Sequence, residues 1–198
     1  MKKILILFAH PAFQKSLINK TLMEAVKDMD GITINNLYEK YPDFFMNIPV
    51  EQKLLTEHDI IIWHHPFYWY SAPAIIKEWM DLVLQHGFAY GTHGRALEGK
   101  WAMSCITTGG SKEVYRAEGK NRFTINQFLA PFKQSANLCR MKYLPPFVVH
   151  GSHTLKRDHV QKYADDYRSV IQMLRDNKIN SEQFNSIEYI NEIIKQDA

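Results

Sequence analysis

Three short stretches of the chain carry residue types whose spacing suits an anionic, planar ligand. The first is His10-Pro-Ala-Phe-Gln-Lys-Ser-Leu-Ile-Asn19. A helix opening at Ser16 would aim unpaired backbone N–H groups and a partial positive charge at an anion, worth about 0.3–1 kcal/mol at an exposed site. Ser16 and Asn19 add side-chain donors, and His10 a further one. Such a seat holds a phosphate without a lysine-bearing loop, since neither GxGxxG nor GxxxxGK[ST] occurs there. The plainer alternative is that Ser16 only caps its helix and His10 packs at a strand end.

The second stretch is Pro66-Phe-Tyr-Trp-Tyr-Ser-Ala-Pro73. Its run of aromatics is costly to leave in water and cannot all enter one core. It fits a flat ligand, a subunit interface, or a cover over neighbouring helices. The third is Thr107-Thr-Gly-Gly-Ser111. Paired glycines let the backbone come close to a ligand and turn N–H groups toward an acceptor. The hydroxyls of Thr107 and Thr108 add donors. Taken alone, the string is equally a plain turn.

These stretches need elements to position them. Residues 3–8 form a continuous β-prone apolar run, as in a strand buried on both faces. A helix is expected over 16–28, with Leu17, Thr21, Leu22, Ala25 and Met29 on one face. An alternating strand follows at 32–37, a loop at 38–49, a short helix at 50–57 and a buried strand at 59–63. Residues 64–72 read as a loop, and Pro73 opens a helix to about 85. A loop over 86–99 leads to a strand at 100–107, then a long loop to about 122. A helix at 124–140 should break before Pro131. A strand at 147–150, a helix at 159–176 and a further helical segment at about 181–195 complete the pass. The alternation predicts an α/β, flavodoxin-like doubly wound five-stranded parallel sheet with helices on both faces. One domain over 1–198 is expected, with the C-terminal segment as a helical extension.

In an open parallel sheet, ligands bind beyond the carboxyl ends of the strands. The three stretches follow strands ending at 8, 63 and 107. A phosphate seat, an aromatic wall and a backbone-donor loop on three strand ends are what a flavin mononucleotide requires.

Composition limits the rest. The chain has 198 residues, 45% hydrophobic and 23% charged, which excludes disordered, collagen-like and disulfide-stapled classes. The early apolar run falls well short of the roughly 18 residues of a spanning helix. Lys2-Lys3 ahead of it is too short for a signal peptide. Cys105 and Cys139, with no CxxC, fit buried thiols in a reducing compartment, so a cytoplasmic protein is expected. A net charge of +3 permits an anionic ligand and does not call for nucleic acid. Nine histidines raise a metal hydrolase, but His64-His65 would point oppositely, His150 and His153 lack a carboxylate at ligand spacing, and no HExxH occurs. No metal is expected.

At these residues the sequence resembles the flavodoxin-like NAD(P)H:quinone oxidoreductases. Within them it is most similar to bacterial members known as ancillary proteins of the glutathione-regulated potassium-efflux system, or as general stress proteins. The resemblance runs from about residue 3 to 151. It rests on His10-Pro11 with Ser16 and Asn19, Leu37-Tyr38, Tyr41-Pro-Asp-Phe44, His65-Pro66 with Trp69-Tyr-Ser71, His86-Gly87 with Ala89-Tyr-Gly91, Thr107-Thr-Gly-Gly110 and Leu144-Pro-Pro-Phe147. It implies flavin contacts at His10, Ser16, Leu17, Ile18 and Asn19, at Pro66, Phe67, Tyr68, Trp69 and Tyr70, and at Thr107, Thr108, Gly109 and Gly110.

The resemblance further implies FMN, with FAD as the alternative, and NADPH or NADH as hydride donor. A quinone or similar electrophile would take two electrons in a ping-pong sequence. Tyr115 matches a catalytic tyrosine of the family. Where the mammalian relative has a histidine six residues later, this chain has Asn121, which cannot take up a proton at neutral pH, so no histidine relay is expected. Arg140 stands where relatives commonly place glycine at a left-handed helix end. Lys112, Arg116 and Lys120 are candidates for the extra phosphate of NADPH, or a solvated face. A homodimer is implied, with apolar surface at 41–45 and 63–70. A second role implied is that of a flavin-bearing regulatory subunit docked peripherally, at the inner face of the cell membrane, on a potassium-efflux antiporter. A low-potential electron carrier fits less well, because such carriers tend to be strongly acidic.

Overall fold

A computed structural model of the chain describes residues 1–179 and 182–195. Its centre is a parallel sheet built from β1 (Ile4–Phe8), β2 (Ile32–Asn36), β3 (Ile60–Pro66), β4 (Trp101–Thr107), β5 (Lys142–Tyr143) and β6 (Phe147–Val149). The order is β2-β1-β3-β4-β5, with β6 also on β4. In register, Ile6 faces Ile34 on one side and Ile62 on the other. The fifth position of the sheet is thus filled by two segments: β5 pairs with the start of β4 and β6 with its end. The strand expected at 147–150 is present as β6, and β5 is an added segment separated from it by Pro145-Pro146, which cannot donate to a ladder.

Alternation along β1 feeds two cores. Ile4, Ile6 and Phe8 pack with α1 (Leu17–Val26) and α7 (Arg157–Arg175). Leu5, Leu7 and Ala9 pack on the other face. There they meet α2 (Leu37–Lys40), α3 (Ile48–Glu57), α4 (Ala74–Val83), α5 (Ile125–Phe128) and α6 (Ala130–Leu138). The doubly wound arrangement expected from the alternation is present.

Several local expectations are corrected. The segment 64–72 does not open as a loop, because β3 continues through His64, His65 and Pro66. Both histidine rings are fully buried, one on each face: His64 against Tyr167 of α7, His65 stacked on Phe132 of α6. The loop expected at 38–49 contains the single turn α2, and α3 begins at Ile48 with Asn47 as its cap. The break before Pro131 falls at Leu129, between α5 and α6. In the extension, the described residues form two 3₁₀ segments, Gln183–Asn185 and Ile190–Lys195, rather than one α-helix. Asn191 docks this extension on the sheet edge, since its side chain accepts from the Val148 N–H at 2.9 Å and donates to the Val148 carbonyl at 3.1 Å. Arg140 adopts the left-handed conformation that glycine would favour, at φ 58°. Its guanidinium donates to the carbonyls of Gly91 and Gly94, which offsets part of the backbone cost.

Candidate functional site

The carboxyl ends of β1, β3, β4 and β6 open on one side of the sheet. A cleft of about 650 Å³ lies there. It adjoins a second hollow of about 400 Å³, the two sharing Phe67, Trp69 and Gly109 as walls. Each lies within the roughly 300–1,000 Å³ of small-molecule sites.

The sequence at 10–19 builds one end. Ser16 is the N-cap of α1, and its Oγ accepts from the Asn19 N–H at 3.3 Å. As the first residues of the helix, Leu17 and Ile18 have N–H groups with no intrahelical partner, and both residues line the cleft. His10 is buried beside them, and its Nδ1 accepts from the Ala12 N–H at 3.1 Å. Burial lowers its pKa, favouring the neutral ring, and a bonded Nδ1 leaves the proton on Nε2 as a donor. Lys15 lines the same end. Donors and a positive helix end of this kind suit an anion.

The aromatic stretch builds the wall. The Phe67 N–H donates to the Thr107 carbonyl at 2.8 Å, which ties the second loop to the third. Trp69 and Tyr70 both sit in the left-handed region, at φ 53° and 60°, where bulky side chains are outliers. Tyr70 stacks on Phe128 with ring centroids 5.0 Å apart. The Trp69 side chain packs on little, with 93% exposure. Strained backbone carrying an exposed indole at the mouth of a cleft points to a ligand or partner surface.

The third loop closes the far end. The Gly109 N–H takes no partner among the described residues, while the Gly110 N–H meets the Tyr115 hydroxyl. At Gly109 a Cβ would come within 2.9 Å of the His153 ring, which would have to move aside. At Gly110 a Cβ would meet Val114 at 2.6 Å and Tyr115 at 3.1 Å. Tyr115 is largely buried, beside Phe67 and Phe128. Burial raises its pKa, so the phenol keeps its proton.

Of the expected contacts, His10, Ser16, Leu17, Ile18, Asn19, Pro66, Phe67, Tyr68, Trp69, Thr107 and Gly109 line the larger hollow. Tyr70, Gly110 and Tyr115 line the smaller one. Thr108 is not brought to either. It is fully buried, and its hydroxyl donates to the Gly110 carbonyl at 2.8 Å and meets His150 Nδ1 at 3.3 Å. Of the three basic residues near this loop, Lys120 lines the outer hollow. Lys112 is instead paired with Glu188 and Glu192 of the extension. The apolar surface expected at 41–45 and 63–70 narrows to Phe45 and residues 68–70, since Tyr41 and Trp63 are buried. Sequence reasoning missed the loop after β6, whose Ser152, His153 and Leu155 line the cleft. The signal was available, for this loop also leaves the carboxyl end of a parallel strand.

The residues present fit a flavin mononucleotide: backbone and hydroxyl donors at the α1 end suit a phosphate, and the aromatic loop facing Gly109 suits a planar ring.

Comparison with known proteins follows the same line. Residues 2–171 match the family described as having a flavodoxin-like fold. The potassium-efflux ancillary protein KefG of Pectobacterium atrosepticum is 45% identical over 165 residues, covering 83% of this chain and 90% of that protein. Among solved structures, general stress protein 14 of Treponema denticola, in complex with FMN, shares 36% identity with a TM-score of 0.83, covering 87% of this chain and 99% of that one. An NADPH-quinone reductase of P. pentosaceus shares 35% with a TM-score of 0.77, covering 85% and 96%. A structure described as a thermophilic tryptophan halogenase of Streptomycin violaceusniger shares 40% with a TM-score of 0.82, covering 83% and 96%. The names differ while the fold is common, and the chain belongs to the flavodoxin-like family.

Proposed function

We propose that the chain is a flavin-dependent NAD(P)H:quinone oxidoreductase that holds FMN in the cleft described above. The observation that carries this reading is two adjoining hollows that run from the capped end of α1 to an aromatic wall faced by the Gly109 N–H. Bound there, FMN supplies a ring that accepts a hydride from a reduced nicotinamide and yields two electrons to a quinone. The protein's part is to hold and tune it. Ser16, the α1 N-terminus and His10 grip the phosphate. Phe67, Trp69 and Tyr70 flank the ring. The Gly109 N–H, with Gly110 beside it, would meet the edge where negative charge develops, and a donor already in place lowers the cost of that charge. Tyr115 keeps its proton at Oη and donates a hydrogen bond to the acceptor's oxygen. Lys120, at the mouth, faces the extra phosphate of NADPH.

The test starts with the bound chromophore. Released from purified protein and separated, it should be FMN rather than FAD. Steady-state rates with NADPH and a simple benzoquinone should give the parallel double-reciprocal lines of a ping-pong sequence. A colourless protein that takes up neither FMN nor FAD overturns the reading.

The potassium-efflux name of the relatives supports a second role, docking on a membrane antiporter. No described helix is long and apolar enough to cross a membrane, so such an association would be peripheral. Phe45 and the 68–70 loop supply apolar surface for it or for a second copy of the chain. Copurification with a transporter without quinone turnover would favour docking alone.

A further inference from the structure

Beneath the anion seat runs a buried chain of hydrogen bonds that begins outside the cleft. The Tyr167 hydroxyl of α7 lies 3.2 Å from His64 Nδ1, and His64 Nε2 lies 3.0 Å from Asn19 Oδ1. Asn19 Nδ2 donates to Ser16 Oγ at 2.9 Å and to Thr107 Oγ1 at 3.3 Å. Tyr167 and His64 are fully buried, and neither lines the cleft. Asn19, at its floor, has 2% exposure.

The direction of this chain follows from its members. The Tyr167 hydroxyl has one other polar neighbour, the Cys105 thiol, which burial keeps protonated. A thiol is a weak acceptor, so the phenol donates to His64 Nδ1. Burial pushes the His64 pKa down to about 3, so at neutral pH the ring carries a single proton. With Nδ1 accepting, that proton sits on Nε2 and is donated to Asn19 Oδ1. Asn19 then has only its amide hydrogens to give to Ser16 and Thr107. Ser16 Oγ also accepts from the Asn19 backbone N–H. Its acceptor sites are filled, and its own proton is left for the cleft.

We propose that Tyr167, His64 and Asn19 are positioning residues that set the polarity of the anion seat, making the Ser16 and Thr107 hydroxyls donors toward a phosphate monoester. The opposite arrangement is chemically complete and functionally wrong. With the proton on Nδ1 and the amide turned over, both hydroxyls would donate inward to Asn19 and present lone pairs to the anion. The inference rests on the flavin reading and adds to it the groups that decide whether the phosphate is welcomed or repelled.

The experiment titrates the full chain, stripped of bound flavin, with FMN and with riboflavin, which lacks the phosphate. His64→Phe removes the donor to Asn19 and frees the amide to turn. FMN Kd should rise about tenfold, the size of one lost charge-assisted bond. Riboflavin should shift by less than about threefold on the same scale. His64→Gln, which can donate to Asn19 while accepting from Tyr167, should restore most of the FMN affinity. Equal losses for both ligands, or FMN binding unchanged in His64→Phe, overturn the proposal. If His64→Phe does not fold, the ¹⁵N shifts of the His64 ring in the wild-type chain decide: a proton on Nε2 supports the chain, and one on Nδ1 refutes it. A wild-type chain that binds no FMN ends the flavin reading instead, so the two failures are distinct.

Discussion

Replacing Trp69 by glycine should make the protein more stable and its ligand site worse. Trp69 lies at φ 53°, ψ 41°, inside the loop after β3. A residue with a Cβ loses about 1–2 kcal/mol in that conformation. Packing returns little of this, because the indole is 93% exposed. Tyr70, at φ 60°, differs: its ring stacks on Phe128 and its hydroxyl donates to Asn121 at 3.4 Å. Trp69→Gly relieves the backbone, while the added freedom of the unfolded chain costs about 0.5–1 kcal/mol. The balance is a gain of roughly 0–1.5 kcal/mol, or up to about 6 °C in Tm for a chain of this size. The ligand loses one stacking face, worth about 0.5–1.5 kcal/mol, so FMN Kd should rise about two- to twelvefold. Calorimetry of the flavin-free chain and fluorescence titration with FMN measure the two effects. A Tm that falls would mean that the indole stabilises the fold after all. An unchanged Kd would mean that it does not face the ligand.

Three further outcomes are expected. Ser16→Ala should weaken FMN by about 1–2 kcal/mol through the lost charge-assisted bond, and unchanged affinity on titration would put the phosphate elsewhere. Gly110→Leu would drive its Cβ into Val114 and displace Tyr115, lowering both flavin occupancy and quinone turnover; full occupancy in the purified variant would refute the placement. Acid should destabilise the chain through three buried or half-buried histidines: burial lowers His64 to about 3 and His65 and half-buried His150 to about 4, from the ordinary 6.5. The unfolded chain then binds protons that the folded one refuses, so stability is full above about pH 6.5 and declines toward pH 4, each histidine adding a slope of up to about 1.4 kcal/mol per pH unit. A denaturation midpoint that stays flat from pH 7 to pH 5 would count against this.

The centre of the sheet was legible because β1, β3 and β4 begin as apolar runs buried on both faces, and burial patterns of that kind survive without knowledge of neighbours. The end of β3 was not. His64-His65-Pro66 reads as a loop by composition, yet the strand continues because each ring finds a partner on its own face: Asn19 and Tyr167 for one, Phe132 for the other. Those partners are distant in sequence, and no local pattern encodes them. The same holds for Lys112, whose pairing with Glu188 and Glu192 depends on where the extension docks. The anion seat was legible for the opposite reason. Ser16 caps and Asn19 answers within three residues, so local chemistry fixes most of it.

Thr107 and Thr108 show where residue type stops and geometry decides. Both carry the same hydroxyl, and both read as donors to a ligand. At the end of a strand, successive side chains leave on opposite faces. Thr107 therefore turns to Asn19 and the cleft, where its Oγ1 accepts from the amide and keeps a proton to offer. Thr108 turns behind the loop, where its proton goes to the Gly110 carbonyl and His150 approaches its oxygen. One hydroxyl faces the cleft, and the other is spent shaping the glycine turn that presents the Gly109 N–H. The two contributions differ in kind, so their removal should differ as well. Thr107→Val takes a donor from the cleft and should act on ligand affinity. Thr108→Val unlatches the turn beside Tyr115 and should act on the whole loop.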